Sequence, residues 1–336
     1  MSRRHSILGG AIKVLIGLVI FVAGYLTWAY YHKVDIGERR VSIIIKSGDS
    51  FNAVAARLIE SGVVDSRLML YYPARLRSID KKLVPGRYDF TGENSCASVL
   101  DKLAAGDFLK VRITVYEGAP IWKVASILAH SELGFDSTYV ANLNNDSAFL
   151  AQVGEPTLEG YLYPETYFIP WGTDPKDVMG EMVEMFRSKT RDIWPDTIPS
   201  GLNREQTVIL ASIIEAEAKL DREKPIISSV YHNRLSKNMR LDADPTVIYG
   251  LGGLERPLYR HDLNIRTPYN TYRMRGLPPT PINSPGLEAI KAAIHPADTD
   301  YLFFVADGTG GHRFSRTNAE HNRARYEIKQ ETRSNQ

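Results

Sequence analysis

The sequence predicts an α+β protein that combines an N-terminal transmembrane helix, a small β-α-α-β module and a larger mixed α/β domain. Three observations lead to this class: an uncharged run over residues 14–31, β-branched strands alternating with amphipathic helices over residues 41–116, and further helical patterns beyond residue 117. With 336 residues, of which 43% are hydrophobic, the chain is long enough for about two domains with buried cores.

Charge and cysteine content narrow the function classes. The formal net charge of +2 is too balanced for a nucleic-acid-binding protein. The single cysteine, Cys96, rules out an intramolecular disulfide, which is compatible with a cytosolic as well as a periplasmic protein. The histidines show no H-E-x-x-H spacing, so we expect neither a metal site nor a cofactor.

The N-terminus predicts a membrane anchor. Arg3, Arg4 and Lys13 precede the uncharged run Val14–Tyr31, which meets the threshold of about 18 residues for a membrane-spanning helix. Because basic residues favour the cytoplasmic side, residues 1–13 should be cytoplasmic and everything after Tyr31 should lie outside. A cleaved signal peptide is the alternative, although its apolar core is usually only about 7–15 residues long.

A charged linker over residues 32–40 leads into a small module, residues 41–116. The periodicity predicts two strands and two helices in β-α-α-β order, with Pro73 weakening the prediction for the end of the second helix (residues 41–46, 51–62, 67–76 and 87–90). This order resembles the LysM module, a small fold that often binds peptidoglycan glycan. A plain α+β spacer is the alternative, because fold alone does not give function.

The most informative stretch is Leu210–Ala218, an apolar run that carries two carboxylates. Asn203 and Gln206 have the spacing of a capping box, so we expect a helix from about Arg204 to Leu220. At 100° per residue, Glu215 shares a stripe with small side chains that should leave a shallow floor for a ligand, whereas Glu217 projects on the apolar side.

Either carboxylate has a plausible chemistry. A carboxyl group beside apolar surface has a raised pKa, which is what a general acid for glycoside cleavage requires. The alternative is that both groups are structural and pair with a nearby cation such as Lys219 or Arg222. Spacing alone does not decide between these interpretations.

A proline-rich segment follows the helices. The side chains of Tyr269, Asn270 and Tyr272 precede the rigid stretch Gly276–Ile282. Tyrosines stack on sugar faces and asparagine hydrogen-bonds hydroxyl groups, so this pattern predicts the wall of a saccharide groove. An ordinary rigid loop is the alternative.

Together these motifs resemble the YceG-like family of endolytic murein transglycosylases. Six segments carry the resemblance, in the family's order and over nearly the whole chain: Leu158–Tyr167, Ala211–Glu217, Asp244–Val247, Tyr269–Tyr272, Gly276–Pro279 and His312–Asn322. The chain departs from the family pattern at Asp242, where glutamine is common, and at Thr280, where glycine is common.

The resemblance implies a membrane-anchored enzyme with a LysM-like subdomain (residues 41–116) and a catalytic domain (residues 117–336). It implies endolytic cleavage of nascent peptidoglycan between N-acetylmuramic acid and N-acetylglucosamine, leaving a 1,6-anhydromuramoyl end. It also implies location at the cytoplasmic membrane, with the catalytic domain on the periplasmic side, beside the peptidoglycan synthases (penicillin-binding proteins).

The family's catalytic glutamate maps onto Glu215. Other family positions fall, without assigned roles, on residues expected to bind substrate or support the site: Glu159, Glu165, Glu217, Asp244, Tyr269, Asn270, Tyr272 and His321. Two alternatives stay open, a glycan hydrolase that uses Glu215 with Asp244, and a non-catalytic scaffold that binds peptidoglycan.

Overall fold

A computed structural model describes residues 2–46, 48–199 and 201–334. Residues 1 and 335–336, the outer ends of the predicted cytoplasmic segment and catalytic domain, lie outside the described residues. The chain forms two compact units. Unit 1 comprises Met1–Val111 with Phe168–Thr173, and unit 2 comprises Arg112–Tyr167 with Asp174–Gln336.

Unit 1 begins with the long helix α1 (Ser2–Tyr31). Its segment Ile12–Tyr31 is long and apolar enough to cross a membrane, and starts two residues before the predicted run. At about 1.5 Å per residue, 20 residues span about 30 Å, the thickness of a bilayer's hydrocarbon core.

The rest of unit 1 has the predicted β-α-α-β order, framed by two short strands and a further helix. The elements are β1 (Val34–Asp35), β2 (Val41–Ile45), α2 (Phe51–Glu60), α3 (Arg67–Leu76), β3 (Gly86–Phe90), β4 (Glu93–Asn94) and α4 (Cys96–Ala105). Antiparallel pairing joins β1 to β4, and joins β2 to β3 in a register that runs from Val41 opposite Phe90 to Ile45 opposite Gly86. Pro73 is accommodated inside α3.

The core of unit 1 lies between the β2–β3 ribbon and the helices. Alternate residues of the ribbon, such as Ile43 and Tyr88, point inward as the two-residue period of a strand requires. Leu58 of α2, Leu70 of α3 and Leu100 of α4 meet them and are fully buried. Unit 1 therefore has a hydrophobic core of its own.

Unit 2 is mainly helical, with short two-stranded ribbons in place of a large sheet. Its elements are β5 (Lys110–Thr114), α5 (Ile121–His130), α6 (Ser137–Asn142), α7 (Ser147–Val153), β6 (Thr166–Pro170), α8 (Pro175–Thr190), α9 (Arg204–Glu217), α10 (Lys224–Ser236), α11 (Asp244–Gly250), α12 (Leu287–Ile294), β7 (Phe303–Ala306), β8 (His312–Ser315) and α13 (Asn318–Ser334). Lys110–Val111 of β5 and Phe168–Pro170 of β6 belong to unit 1. Strand β7 pairs antiparallel with β8.

Helix α9 is the central helix of unit 2. It starts as predicted, because the Asn203 side chain accepts from the Gln206 N–H (2.8 Å) and the Gln206 side chain accepts from the Asn203 N–H (3.0 Å). It ends at Glu217, three residues before the predicted Leu220, because Ala218 adopts an extended backbone. Glu217 is thus the last helical residue.

The predicted shallow floor beside Glu215 is not present. Every residue from Thr207 to Ile214 is buried, since α10, α11 and α12 all pack against α9. The small side chain of Ser212 is covered by the proline-rich segment: its Oγ accepts from the Ile282 N–H (3.0 Å), and its carbonyl accepts from the Asn283 amide (2.8 Å). The small residues make room for protein backbone and not for a ligand.

The backbone at Gly160 also packs closely against α9 and the proline-rich segment. Its φ is +89°, and an added Cβ would lie 2.4 Å from Cγ of Pro281 and 3.1 Å from Cγ1 of Val208. We predict that Gly160→Ala destabilises the protein by more than the ~1–3 kcal/mol of left-handed strain alone, because the new methyl group also clashes with the packed Pro281 ring.

Gly276→Ala is the matched control, since Gly276 has a similar φ of +82° but open space around its Cβ position. Thermal unfolding of the detergent-solubilised variants measures the difference. Equal losses at the two positions would contradict the packing argument.

Candidate active site

A polar cavity of about 560 Å³ lies at the C-terminal end of α9 in unit 2. Acidic, basic, amide and aromatic side chains share its wall. The lining residues are Glu217, Arg234, Leu241, Asp242, Asp244, Tyr272, Phe303, Phe304, Val305, Ala306, His312, Asn318, His321, Asn322 and Arg325. Such a mixture fits a polar, uncharged ligand with many hydroxyl and amide groups, because each group finds donors and acceptors at the wall.

The carboxyl group of Glu217 lines this cavity and has a raised pKa. Burial, reinforced by the negative charge of Asp244, raises the pKa of Glu217 to about 7, although the Tyr231 hydroxyl and Arg234 act in the opposite direction. A carboxyl group with this pKa is protonated in a large fraction of molecules at neutral pH. It can both donate and accept a proton there.

Two aspartates share the cavity wall with Glu217. Asp244 accepts a short hydrogen bond from the Tyr272 hydroxyl, 2.6 Å from Oδ1, which fixes the orientation of both side chains. Asp242 adopts a left-handed backbone with φ of +46°, which costs a non-glycine residue free energy. Burial raises the pKa of Asp242, while Arg234 and Arg240 lower it in part.

Arg234 supplies a fixed positive charge behind the carboxylates. Its guanidinium group is buried, donates to the carbonyls of Leu302 (2.7 Å) and Leu241 (2.8 Å), and stacks over the Phe303 ring at 5.3 Å. It also lies 3.7 Å from the Asp242 carboxylate. This arrangement holds the β7 ribbon against α10 and limits the net negative charge of the cavity.

Two histidines line the opposite part of the cavity. Nδ1 of His312 lies 2.7 Å from Glu223 Oε2, so this ring is held in place by a carboxylate. The ring of His321 stacks on Phe303, and its buried Nδ1 has no hydrogen-bond partner. Burial lowers the pKa of His321, helped by the charges of Arg325 and Arg234, so its imidazole is neutral at physiological pH.

Glu215 lies in a separate ion-pair network and not at the cavity wall. The ammonium group of Lys224, whose side chain is 3% exposed, lies 3.2 and 3.3 Å from the two Glu215 oxygens. The Gly286 N–H donates to the same carboxylate at 3.0 Å, while Asp221 pairs with Lys224 at 2.9 Å. The predicted cation partners of this carboxylate, Lys219 and Arg222, are therefore replaced by Lys224.

The carboxylates of Asp221 and Glu215 stabilise the positive charge of Lys224. Burial alone would lower the pKa of Lys224, but hydrogen bonding to Asp221 and the charge of Glu215 outweigh it, and the pKa is raised. Burial and the nearby Glu215 raise the pKa of Glu117. A Cβ on Gly286 would meet the Glu117 carboxylate at 2.0 Å, so the Glu117 side chain would have to move to admit it.

Glu159 caps a helix instead of facing the cavity. Pro120 precedes α5 and offers no side-chain cap, so the Ile121 N–H donates to the Glu159 carboxylate at 3.1 and 3.2 Å. The Tyr249 hydroxyl also donates to it, at 3.0 Å. The carboxyl group is completely buried, and burial raises its pKa to about 8 despite these two donors.

The remaining residues that were predicted to bind substrate or support the site form two groups, those that line the cavity and those that do not. Tyr272, Asp244 and His321 line the cavity, whereas Glu165, Tyr269 and Asn270 do not. Asn270 is buried and donates to the carbonyls of Leu263 and Ile265, so it shapes its own loop.

Glu165 and Tyr269 likewise contact other parts of unit 2. Glu165 accepts from the Thr166 N–H and pairs with Lys189 at 3.1 Å, and both contacts lower its pKa. The hydroxyl of Tyr269 lies 2.8 Å from that of Thr280, and its ring packs on Tyr249.

Sequence reasoning did not single out several residues that line the cavity. Arg234 lies on α10 in a stretch with no motif of its own, and Arg325 lies on α13 beyond the recognised segment, whereas Asn318 and Asn322 fall within it. The His312–Asn322 segment was a recognisable signal for part of this wall. Within the described residues, no group of three or more His, Cys, Asp or Glu side chains is arranged to hold a metal ion.

Comparisons with known proteins agree with this architecture. The chain is 33% identical over 306 residues to the endolytic murein transglycosylase of Bacillus subtilis (strain 168), over 85% of this chain and 84% of that protein. It is 26% identical over 354 residues to the endolytic murein transglycosylase of Streptococcus pneumoniae (strain ATCC BAA-255 / R6), over 91% of this chain and 63% of that protein.

A solved structure and a family profile extend the comparison. The crystal structure of a YceG-like protein from Listeria monocytogenes is similar with a TM-score of 0.58 and 28% identity, covering 84% of this chain and 98% of that one. The profile of the YceG-like family matches residues 43–327, from strand β2 into helix α13. Since this match covers most of both units, the chain belongs to the YceG-like family.

Proposed function

We propose that this protein is a membrane-anchored endolytic lytic transglycosylase that cuts peptidoglycan glycan strands and leaves 1,6-anhydro-N-acetylmuramic acid ends. The observation that carries the proposal is Glu217, a carboxyl group with a pKa of about 7 at the wall of a polar cavity. The relatives named as endolytic murein transglycosylases support the substrate class.

In this proposal the general acid is Glu217 and not Glu215. The two groups are two residues apart, but α9 ends at Glu217 and carries it into the cavity, while Glu215 is neutralised by Lys224. The Lys224 ammonium group and the Gly286 N–H occupy the oxygens of Glu215, whereas Glu217 lines the cavity. The resemblance assigned the role to Glu215, and the geometry favours its neighbour.

The reaction needs only one carboxyl group. Protonated Glu217 donates its proton to the glycosidic oxygen as the C1–O bond breaks through an oxocarbenium-like state. The resulting carboxylate accepts the proton of the muramoyl 6-hydroxyl, whose oxygen attacks C1 of the same sugar. The nucleophile is intramolecular, so it has a high effective molarity and no water is consumed. Glu217 regains its proton in this step.

The remaining cavity residues are proposed to bind the strand. Asn318, Asn322 and Tyr272 offer donors and acceptors for hydroxyl and acetamido groups, and the aromatic rings of β7 offer a stacking surface. Arg325 provides a positive charge for carboxylates on peptide stems. Asp244 acts through Glu217, by raising its pKa.

A glycan hydrolase is the second candidate, and one observation favours it. Asp242 and Asp244 line the same cavity as Glu217, and a second carboxylate is what a hydrolase needs to activate water or to attack the sugar. This candidate replaces the earlier pairing of Glu215 with Asp244, because Glu215 does not line the cavity.

The cellular setting is part of the same proposal. We place the N-terminus in the cytoplasm and everything after Tyr31 outside, since basic residues precede the apolar run of α1 and nascent peptidoglycan lies on the outer side. We propose a LysM-like role in glycan binding for the β-α-α-β module, and action beside peptidoglycan synthases.

The product of glycan digestion tests the reaction type. We predict that incubation with uncrosslinked glycan strands yields internal cuts with ends that are lighter by one water than reducing ends, because the 6-hydroxyl and not water attacks C1. Mass spectrometry of the fragments measures this. Reducing ends would support the hydrolase, and uncut strands the scaffold.

Two isosteric variants separate the roles of the neighbouring glutamates. We predict that Glu217→Gln lowers the cleavage rate about 10²–10⁴-fold with little change in melting temperature, because it removes the proton donor but no ion pair. Glu215→Gln should lower stability by ~1–3 kcal/mol, because it leaves Lys224 with a weaker partner, while the folded variant keeps cutting. The reverse pattern would return the catalytic role to Glu215.

The pH profile tests the acid form of Glu217. Since only the protonated group donates, we predict that kcat/KM falls as pH rises through about 7. Asp244→Asn removes one charge that raises this pKa, so the alkaline limb should move to lower pH. Glu288→Gln, at an exposed position on α12, should leave the limb in place. An unmoved limb in Asp244→Asn would contradict the proposed coupling.

A further inference from the structure

Helix α3 presents an unpartnered apolar stripe at the surface of unit 1. Leu68, Tyr72 and Leu76 are spaced by four residues and therefore share one face, and they are 60%, 64% and 88% exposed. The opposite face of α3 buries Leu70 and Ala74 in the core of unit 1. An amphipathic helix normally buries its apolar face. Because one apolar face of α3 is already buried in the core, the exposed second face indicates contact with another apolar surface.

This stripe is continuous with the apolar surface of α1. A groove of about 530 Å³ runs between the two helices, and its wall is almost wholly apolar. Leu26, Tyr30 and Tyr31 of α1 form one side, and the α3 stripe forms the other. The Arg77 guanidinium group, just after α3, donates to the Tyr30 hydroxyl at 3.2 Å and so ties the end of α3 to α1.

The height of the groove along α1 matches a membrane interface. If Ile12–Tyr31 crosses the hydrocarbon core, Leu26–Tyr31 occupies roughly the last 9 Å on the far side, at 1.5 Å per residue. Interfacial amphipathic helices bury their apolar faces about 5–10 Å into this region. Tyrosine and tryptophan side chains concentrate at the same depth, as Trp28, Tyr30 and Tyr72 do here.

Charged residues flank the stripe in the way that lipid headgroups require. Arg67 and Arg75 of α3 are exposed, as are Lys81 and Lys82 shortly after it. Long basic side chains bury their aliphatic stems and keep their charges at the phosphate level. Two acids, Asp65 and Asp80, lie in the same stretch, and Asp101 pairs with Arg77. The basic residues outnumber these acids, so the segment keeps a net positive charge.

We propose that the Leu68–Tyr72–Leu76 stripe is a second membrane-contact surface, which lies in the outer face of the same bilayer that α1 crosses and takes lipid into the α1–α3 groove. The occupant is lipid, because the stripe continues the surface of a helix whose own environment is the bilayer. Unit 1 is then held to the membrane at two places and keeps one orientation toward it. The inference rests on the membrane-spanning role of α1, which belongs to the proposed function.

Site-directed fluorescence in proteoliposomes tests this surface in the full chain. The only cysteine, Cys96, is buried, so a Cys96→Ser background permits labelling of single introduced cysteines with an environment-sensitive dye. The positions are Leu76→Cys on the stripe, Asn52→Cys on an exposed position of α2, and Ile20→Cys in the middle of α1. Spin-labelled lipids and aqueous iodide serve as the two quenchers.

We expect the ratio of lipid to iodide quenching at Leu76 to exceed that at Asn52 several-fold and to approach that at Ile20. Tyr72→Cys should behave like Leu76→Cys, and Leu68→Glu introduced with Leu76→Cys should reduce the lipid quenching at position 76.

Three results would overturn the proposal, and each would point to a different explanation. Quenching by lipid at Ile20 but not at Leu76 or Tyr72 would show an anchored chain whose stripe is free or covered by protein. Equal lipid quenching at Leu76 and Asn52 would show a different docking surface. An absence of lipid quenching at Ile20 would show that α1 does not enter the membrane. That result would contradict the membrane anchoring in the proposed function as well as this inference.

Discussion

The burial of α9 on all sides constrains unit 2 more than any other feature. From Thr207 to Ile214 the helix is enclosed by α10, α11, α12 and the proline-rich segment. Its last turn nevertheless carries two carboxylates, and an uncompensated buried charge costs several kcal/mol. The surrounding structure must therefore either neutralise each charge or allow its pKa to rise. Lys224 neutralises the charge of Glu215, and burial raises the pKa of Glu217.

The neutralised group organises the packing around the helix. Lys224, Gly286 and Glu117 come from three separate parts of unit 2 and meet at Glu215. A Cβ at Gly286 would displace the Glu117 carboxylate, which occupies that space. This network joins the last turn of α9 to the start of α10, through Lys224, and to the start of α12, through Gly286.

The second carboxyl group, that of Glu217, has a pKa of about 7, which suits proton transfer at neutral pH. Neighbouring carboxylates in different environments take different roles, because burial and nearby charge act separately on each pKa. Asp244 raises the pKa of Glu217 from within the cavity and is itself oriented by Tyr272. Arg234, 3.7 Å from the Asp242 carboxylate, limits the net negative charge of the cavity.

Local sequence patterns determined the helices, the strands and the family, because caps, turns and hydrophobic period act over a few residues. The capping box at Asn203, the β-α-α-β order and the apolar run of α1 could all be predicted, and each was correct within a few residues. Tertiary structure alone decided which glutamate faces the cavity, because that depends on groups distant in sequence: Lys224 and Gly286 at one carboxylate, and Asp244 and Tyr231 at the other. The helical wheel predicted a ligand floor beside Glu215, but it contains no information about the segment around Ile282 that covers Ser212.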